Sequence, residues 1–93
     1  MRYQDIPPEQ RALTFPTRFI IKAIGAAQYN IRAILLSVLE HHKTEYAADS
    51  ITEVGSKHGK YASVTVSITA RSRKQLDDIY EGLQSRPEIV MTM

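Results

Sequence analysis

The sequence predicts a small α+β domain with the element order βαββαβ, and three features of its pattern carry that prediction. A run rich in β-branched and aromatic residues opens after Pro16 and closes at Gly25. Two segments, residues 29–43 and 72–85, place apolar side chains at helical spacing, whereas residues 61–70 alternate between apolar and hydroxyl side chains. With 93 residues, 43% of them hydrophobic, the chain has material for one hydrophobic core.

The first fifteen residues differ from the rest, because they contain Pro7-Pro8 and carry no sustained apolar period. We interpret residues 1–15 as a flexible arm and residues 16–93 as the folded domain. No stretch approaches the roughly 18 consecutive apolar residues of a membrane-spanning helix. The chain also does not open with the charged-then-apolar order of a signal peptide. The sequence therefore predicts a cytoplasmic location and no membrane partner.

The first strand and first helix each show one apolar face. In the strand, Phe19 and Ile21 share one parity, and Lys22 marks the opposite face as the wetter one. The helix over residues 29–43 has apolar residues in the spacing i, i+3, i+4, i+7 and i+8, namely Ile31, Ile34, Leu35, Val38 and Leu39. These faces predict a central strand covered by an amphipathic helix.

A weaker second strand is predicted over residues 49–56, after a polar connection over residues 44–48. Its apolar residues Ile51 and Val54 differ in parity, which predicts a bulge or an irregular edge. The next four residues, Lys57 to Lys60, are typical of a hairpin turn in which Gly59 supplies a positive φ.

The second half repeats the pattern with clearer signals. Residues 61–70 alternate strictly, so one face belongs to the core and the other is rich in hydroxyls. Ser72 and Gln75 fit a capping box, in which each side chain satisfies the other residue's backbone N–H, and an amphipathic helix follows. The helix should end near Ser85, ahead of Pro87, and Ile89 to Met93 should form the last strand.

Right-handed crossovers interleave the two β-α-β units. The first and third strands are then central, and the fourth and second strands are the edges. This is the ferredoxin-like arrangement, a four-stranded antiparallel sheet with two helices on one face. The helices should cover the face of Ile21 and Val64, which leaves an open face that carries Ser63, Thr65 and Ser67.

Several kinds of chemistry are absent from the pattern. The chain has no cysteine, which excludes disulfides, thiolate metal sites and a cysteine nucleophile. His41 and His42 point about 100° apart on a helix, so they cannot easily hold one metal ion. There is no serine elbow, no phosphate-binding glycine loop and no carboxylate pair placed for acid–base catalysis. We expect no catalytic residue, no metal, no cofactor and no enzyme activity.

Two groups of cations lie near predicted helix starts, where backbone N–H groups favour anions. At one end of the sheet the loop after the first strand should neighbour the hairpin, which predicts a ligand site at Gly25, Gln28, Asn30, Lys57 and Lys60. At the other end a second, weaker anion site is predicted at Arg71, Arg73 and Lys74. The alternative at both ends is that the cations extend into water, with Asp77 and Asp78 partly screening the second group.

Nucleic-acid binding has less support than an anion site. The net charge is only +2, and the two cation groups should lie roughly 30 Å apart at either end of the third strand. That separation exceeds the Debye length of about 8 Å. The open face also lacks aromatic residues for base stacking, apart from the terminal Tyr61. RNA binding is therefore the third hypothesis.

Protein interaction is the second hypothesis. The open face combines aliphatic side chains with hydroxyls, and the last strand is an edge with few charges that would discourage pairing. We take Ile20, Thr65 and Val90 as markers of this interaction surface. Its partner is another protein or a second copy of the chain, which would form a homodimer.

Three runs of residues resemble the YbeD-like family of small bacterial domains of unknown function. The resemblance covers residues 15–93 and is carried by Phe15-Pro16-x-x-Phe19-x-x-Lys22-x-x-Gly25, Gly59-Lys60-Tyr61-x-Ser63-Val64-x-Val66 and Tyr80-Glu81-x-Leu83. It implies a fold similar to the ACT regulatory domain. ACT domains bind amino acids or other small effectors at the loop after the first strand, which is Gly25 to Asn30 in this sequence.

These observations favour a non-enzymatic regulatory or adaptor domain that senses a small anionic metabolite at the end of the sheet formed by that loop and the hairpin. The alternatives are a protein-interaction module that uses the open face or the edge strand and, third, weak RNA binding.

Overall fold

The computed structural model describes residues 14–56 and 58–93. Most of the predicted arm over residues 1–15, as well as Lys57, lies outside the described residues. Along the chain the elements are β1 (Thr17–Ala26), α1 (Ile31–His41), β2 (Glu45–Tyr46), a 3-10 turn (Ala48–Ser50), β3 (Thr52–Gly55), β4 (Tyr61–Ala70), α2 (Arg73–Gln84) and β5 (Ile89–Thr92).

The sheet is antiparallel, with the order β2-β4-β1-β5 and with β3 also paired to β4. Its centre is a regular ladder between β1 and β4 that runs from Thr17 opposite Ala70 to Ala26 opposite Tyr61. The alternation of residues 61–70 therefore predicted the extent of this central strand correctly. The prediction of an α+β, ferredoxin-like fold is confirmed.

The edge beside β4 differs from the prediction. We expected one irregular strand over residues 49–56, but the edge consists of two short strands on either side of a 3-10 turn. Ser50 holds this turn, because its Oγ accepts from the Ser67 N–H at 2.9 Å and donates to the Ala47 carbonyl oxygen at 2.6 Å. A side-chain hydroxyl thus takes the place of a ladder bond, and the sheet has five strands instead of four.

A bulge that the sequence did not predict lies on the opposite edge. The register between β1 and β5 shifts at Ile24 and Gly25, so that Ile24 lies opposite Met91 and Gly25 opposite Ile89. Val90 is the extra residue that the shift skips. The side chains of Val90 and Met91 are both exposed, in contrast to the buried Ile89 and Thr92 on either side.

Both helices cover one face of the sheet, as predicted. Ile21 and Val66 in the sheet and Leu35, Leu39 and Ile79 in the helices are at most 1% exposed. Burial of one such side chain stabilises a fold by about 1.5–3 kcal/mol. The opposite, open face carries the other set of strand residues: Arg18, Ile20, Lys22 and Ile24 on β1, Ser63, Thr65, Ser67 and Thr69 on β4, Thr52 and Val54 on β3, and Met91 on β5.

Each helix begins at a side-chain cap. Asn30 Oδ1 accepts from the Ala33 N–H at 3.0 Å at the start of α1, and Ser72 Oγ accepts from the Gln75 N–H at 3.0 Å at the start of α2. The second half of the predicted capping box is wrong. Gln75 Oε1 accepts from the N–H of Arg71 at 2.7 Å and not from that of Ser72, because Ser72 is extended and brings the preceding N–H within reach.

Candidate functional site

The structure brings the loop after β1 and the hairpin after β3 into direct contact. The Ala27 N–H donates to the Lys60 carbonyl oxygen at 2.9 Å, one position beyond the last pair of the β1–β4 ladder. The two segments are therefore held side by side by the sheet itself. This end of the sheet is called the loop end below.

Ser56 fixes the hairpin at the loop end. Its Oγ accepts from the N–H groups of Lys60 and Tyr61 at 3.1 and 3.0 Å. Gly59 has a φ of 70°, as the sequence predicted for this turn, and its N–H donates to the Ser56 carbonyl oxygen at 3.0 Å. Ser56 is therefore tied to residues 59–61 by hydrogen bonds, and the side chain of Lys60 is exposed.

Gly25 is buried, and the reason is steric. A Cβ at this position would collide with Cδ1 of Ile31, in the first turn of α1, and with the carbonyl oxygen of Glu88, just before β5. The glycine therefore lets the end of β1, the start of α1 and the approach to β5 meet. Any contact that Gly25 makes with a ligand has to come from its backbone.

The other two predicted loop residues, Gln28 and Asn30, differ in whether the side chain already takes part in a helix cap. Asn30 uses its side-chain oxygen to cap α1, which leaves its NH₂ group to donate to a ligand. Gln28 is exposed and lies in the turn between β1 and α1. The predicted Lys57 lies outside the described residues.

The structure adds Arg32 to the loop end, a residue that the sequence reasoning missed. Arg32 is exposed in the first turn of α1, and that turn contains no acidic residue. Cations are disfavoured at a helix N-terminus, so an anion near Arg32 would be stabilised by both the side chain and the helix. A cation two positions after the Asn30 cap is the sequence signal that could have identified it.

Glu88 is a second residue near the loop end that the sequence reasoning missed. Its carbonyl oxygen lies near Gly25, and among the described residues its carboxylate atom Oε1 has no hydrogen-bond donor although it is buried. Burial without a donor is costly for a polar atom. Nothing in the sequence around Pro87 marks this residue.

The second predicted anion site is organised differently. The Arg71 guanidinium forms an ion pair with Glu45 on β2, and Lys74 Nζ donates to Asp78 Oδ2 at 2.9 Å. The hydrogen bond and the charge of Asp78 raise the pKa of Lys74 above its usual 10.5. Arg73 is exposed in the first turn of α2. Arg71 and Lys74 thus already face carboxylates of the chain.

A groove of about 540 Å³ lies between the two helices, and its lining includes His41, His42, Asp78 and Glu81. The two histidine rings meet edge to face with their centroids 5.0 Å apart. Within residues 14–56 and 58–93, no group of three or more His, Cys, Asp or Glu side chains is placed to hold a metal ion. Gly25, Gln28, Asn30 and Lys60 lie outside this groove.

The predicted interaction residues occupy two parts of the sheet. Ile20 is 62% exposed on the open face, where half-buried Thr65 lies opposite Lys22. Val90 is 59% exposed at the bulge of β5. As for membranes, no helix in the described part of the chain is long and apolar enough to span one.

Comparison with known proteins identifies sequences that are similar over most of their length. A family model described as a protein of unknown function (DUF493) matches residues 10–93. A UPF0250 protein of Leptothrix cholodnii is 33% identical over 90 residues, which cover 97% of this chain and 99% of the relative. A UPF0250 protein of Janthinobacterium is 32% identical over 85 residues, which cover 91% and 93%.

Two solved structures share the fold. Protein HP0495 from H. pylori superimposes with a TM-score of 0.67 at 18% identity, over 95% of this chain and 94% of that one. The ACT domain from the GTP pyrophosphokinase of Chlorobium tepidum does so with a TM-score of 0.63 at 13% identity, over 83% and 97%. The ACT-like fold expected from the sequence is confirmed.

Proposed function

The chain belongs to the DUF493 family of proteins of unknown function, and from that premise we propose that it is a non-enzymatic regulatory or adaptor domain that binds a small anionic metabolite at the loop end. The YbeD-like resemblance seen in the sequence agrees with this membership. The proposed site consists of the loop from Gly25 to Asn30, the hairpin cation Lys60 and the added cation Arg32.

The observation that carries the proposal is the hydrogen bond from the Ala27 N–H to the Lys60 carbonyl oxygen. It holds a cationic hairpin beside a helix start, where two independent contributions favour an anion. One is the charge of Lys60 and Arg32, for which the described part of the chain provides no carboxylate partner. The other is the partial positive charge of the first turn of α1.

The exposed cations Lys60 and Arg32 and the N–H groups at the start of α1 fit a small ligand that carries a phosphate or carboxylate group. The proposal assigns no catalytic step to the chain.

The test is an NMR titration of ¹⁵N-labelled full-length protein with inorganic phosphate, pyrophosphate, a pool of amino acids and a pool of nucleotides. We expect amide shifts at residues 25–32 and 58–61 with at least one of these probes. Lys60→Ala should weaken that binding about threefold to tenfold, as expected for loss of one exposed charge-assisted contact.

Lys74→Ala is the matched control, because it removes an exposed lysine that already faces Asp78. It should leave the affinity unchanged. Absence of shifts at the loop end with every probe, or equal affinity in the Lys60→Ala variant, would contradict the proposal.

A protein-interaction module is the second candidate function, and it is favoured by the exposed aliphatic side chains of the open face and of β5. Thr65→Glu would place a charge on the face, and Val90→Lys would place one at the edge. Binding of a partner that uses the open face should be lost in the Thr65→Glu variant only. Retention of all association in both variants would exclude this function.

A further inference from the structure

Exposed apolar side chains are concentrated on the open face of the sheet. Seven large hydrophobic residues are exposed in the described part of the chain, namely Ile20, Tyr29, Val54, Tyr61, Val90, Met91 and Met93. Ile20, Val54, Tyr61 and Met91 lie on the open face by register, and Met93 joins them because it exchanges both backbone hydrogen bonds with Lys22. An apolar concentration of this kind is typical of an interaction site.

The same face carries unpaired positive charge. Along β1 the open-face residues alternate between cation and aliphatic, in the order Arg18, Ile20, Lys22, Ile24. Among the described acidic residues, Glu45 shares this face, opposite Thr69, and it is paired with Arg71. Arg18 and Lys22 therefore have no carboxylate partner within residues 14–56 and 58–93.

We propose that the open face binds an amphipathic helix of a partner protein, which places acidic side chains against Arg18 and Lys22 and apolar side chains against Ile20, Ile24 and Met91. This inference rests on the second candidate function above, and it names the class of partner. It is independent of the loop-end ligand.

Two physical arguments select an acidic helix. The face of a sheet presents side chains and no free backbone groups, so its occupant has to satisfy its own backbone hydrogen bonds, as a helix does. A second copy of the chain would bring its own Arg18 and Lys22 against this face, and like charges disfavour that pairing. A carboxylate-bearing helix supplies the opposite charge.

The spacing also fits. Arg18 and Lys22 are four strand residues apart, which corresponds to about 13 Å. Acidic residues seven positions apart lie on one side of a helix about 10.5 Å apart, and the long side chains of arginine and lysine can bridge the difference. The hydroxyls of Thr65 and Ser67 lie opposite Lys22 and Ile20 on β4, where they can donate to the same carboxylates.

The experiment uses three synthetic helical peptides of identical apolar stripe, in which two flanking positions seven residues apart are both Glu, both Gln or both Lys. They are titrated into ¹⁵N-labelled full-length protein. We expect the Glu peptide to bind most tightly and the Lys peptide least, with amide shifts at residues 18–24 and 63–69. Affinity for the Glu peptide should fall with rising salt.

Lys22→Glu should weaken binding of the Glu peptide at least about tenfold, because it replaces an attraction by a repulsion. The same variant should strengthen binding of the Lys peptide. Arg18→Glu serves as a second variant if the first one does not fold. Lys60→Ala, which tests the loop-end ligand, should leave peptide binding unchanged, so the two proposals fail separately.

Several results would overturn the inference. Equal affinity for all three peptides would show that the open face binds their apolar side chains and does not recognise their charge. Displacement of the Glu peptide by a peptide copying residues 1–13 would assign the face to the chain's own N-terminal segment. Tighter binding of a single-stranded RNA 12-mer at the same residues would assign it to nucleic acid, and a dimer that forms with rising protein concentration and shifts the amides of residues 18–24 would assign it to a second copy.

Discussion

The two helix starts lie at opposite ends of the sheet, and each combines a side-chain cap with nearby cations. At the loop end Asn30 caps α1, and Arg32 and Lys60 have no carboxylate partner in the described part of the chain. At the other end Ser72 caps α2, and Arg71 and Lys74 are paired with Glu45 and Asp78. The backbone offers the same N–H groups at both ends, so the carboxylates make the difference.

This difference shows why a count of basic residues is a poor guide to an anion site. In the sequence, the second group, with three cations within four positions, looked at least as basic as the first. The structure neutralises most of it through one contact along α2 and one contact to a distant strand. The predictions below test whether the two ends differ in charge alone.

The largest effect should come from Gly25→Ala, which removes the close approach that builds the loop end. The new Cβ would meet Ile31 and the Glu88 carbonyl oxygen, and overpacking of this kind costs about 1–3 kcal/mol. Urea unfolding measures the change in free energy. Gly55→Ala is the control, since nothing lies within 4 Å of its added Cβ; a loss as large as that of Gly25→Ala would refute the steric explanation.

The two helix caps should contribute equally to the free energy of unfolding. Asn30→Ala and Ser72→Ala each remove one hydrogen bond to a helix N–H, and each should lower the free energy of unfolding by about 1 kcal/mol. Thermal unfolding followed by circular dichroism measures both. A loss at one end several times that at the other would mean that the helix starts differ in more than charge.

Removal of the carboxylates that pair with Arg71 and Lys74 should let the start of α2 bind an anion, as proposed for the loop end. The double variant Glu45→Gln/Asp78→Asn leaves Arg71 and Lys74 without their carboxylates, so inorganic phosphate should now shift the amides of residues 71–75. The stability should change little, because Lys74 and both members of the Arg71–Glu45 pair are exposed. Continued absence of phosphate binding at α2 would show that unpaired charge is not sufficient for an anion site.

The smallest effect concerns Lys74 alone. Asp78 raises the pKa of Lys74 above 10.5 through a hydrogen bond and its charge, so Asp78→Asn should bring that pKa back down towards 10.5. NMR titration of the lysine side-chain signals measures it. Lys74 is fully exposed, and we expect no accompanying change in stability; an unchanged pKa would mean that the Lys74–Asp78 pair does not form in solution.

The sequence predicted the regular parts of the fold because they depend on local pattern. Strict alternation over residues 61–70 defined β4, and the spacing from Ile31 to Leu39 defined the buried face of α1. The split edge was missed, because a hydrogen bond from the Ser67 N–H to Ser50 Oγ depends on a strand that is 17 residues away.

The candidate site was predictable in outline and not in its charges. The neighbouring loop and hairpin follow from strand order, which the sequence provides. The pairing of Arg71 with Glu45, the burial of Glu88 Oε1 and the exposure of Arg32 depend on contacts between distant elements. Such contacts decide which cations remain available, and a single sequence does not encode them in any local pattern.

The bulge at Val90 affects how readily the β5 edge pairs with strands of other molecules. The edge strand β5 is apolar and uncharged, which are features of segments that recruit further strands into fibrils. The extra residue interrupts the row of backbone groups that an incoming strand would have to match, and the strand has only four residues. The short length of β5 and its bulge therefore disfavour pairing with a further strand at this edge without a charged side chain.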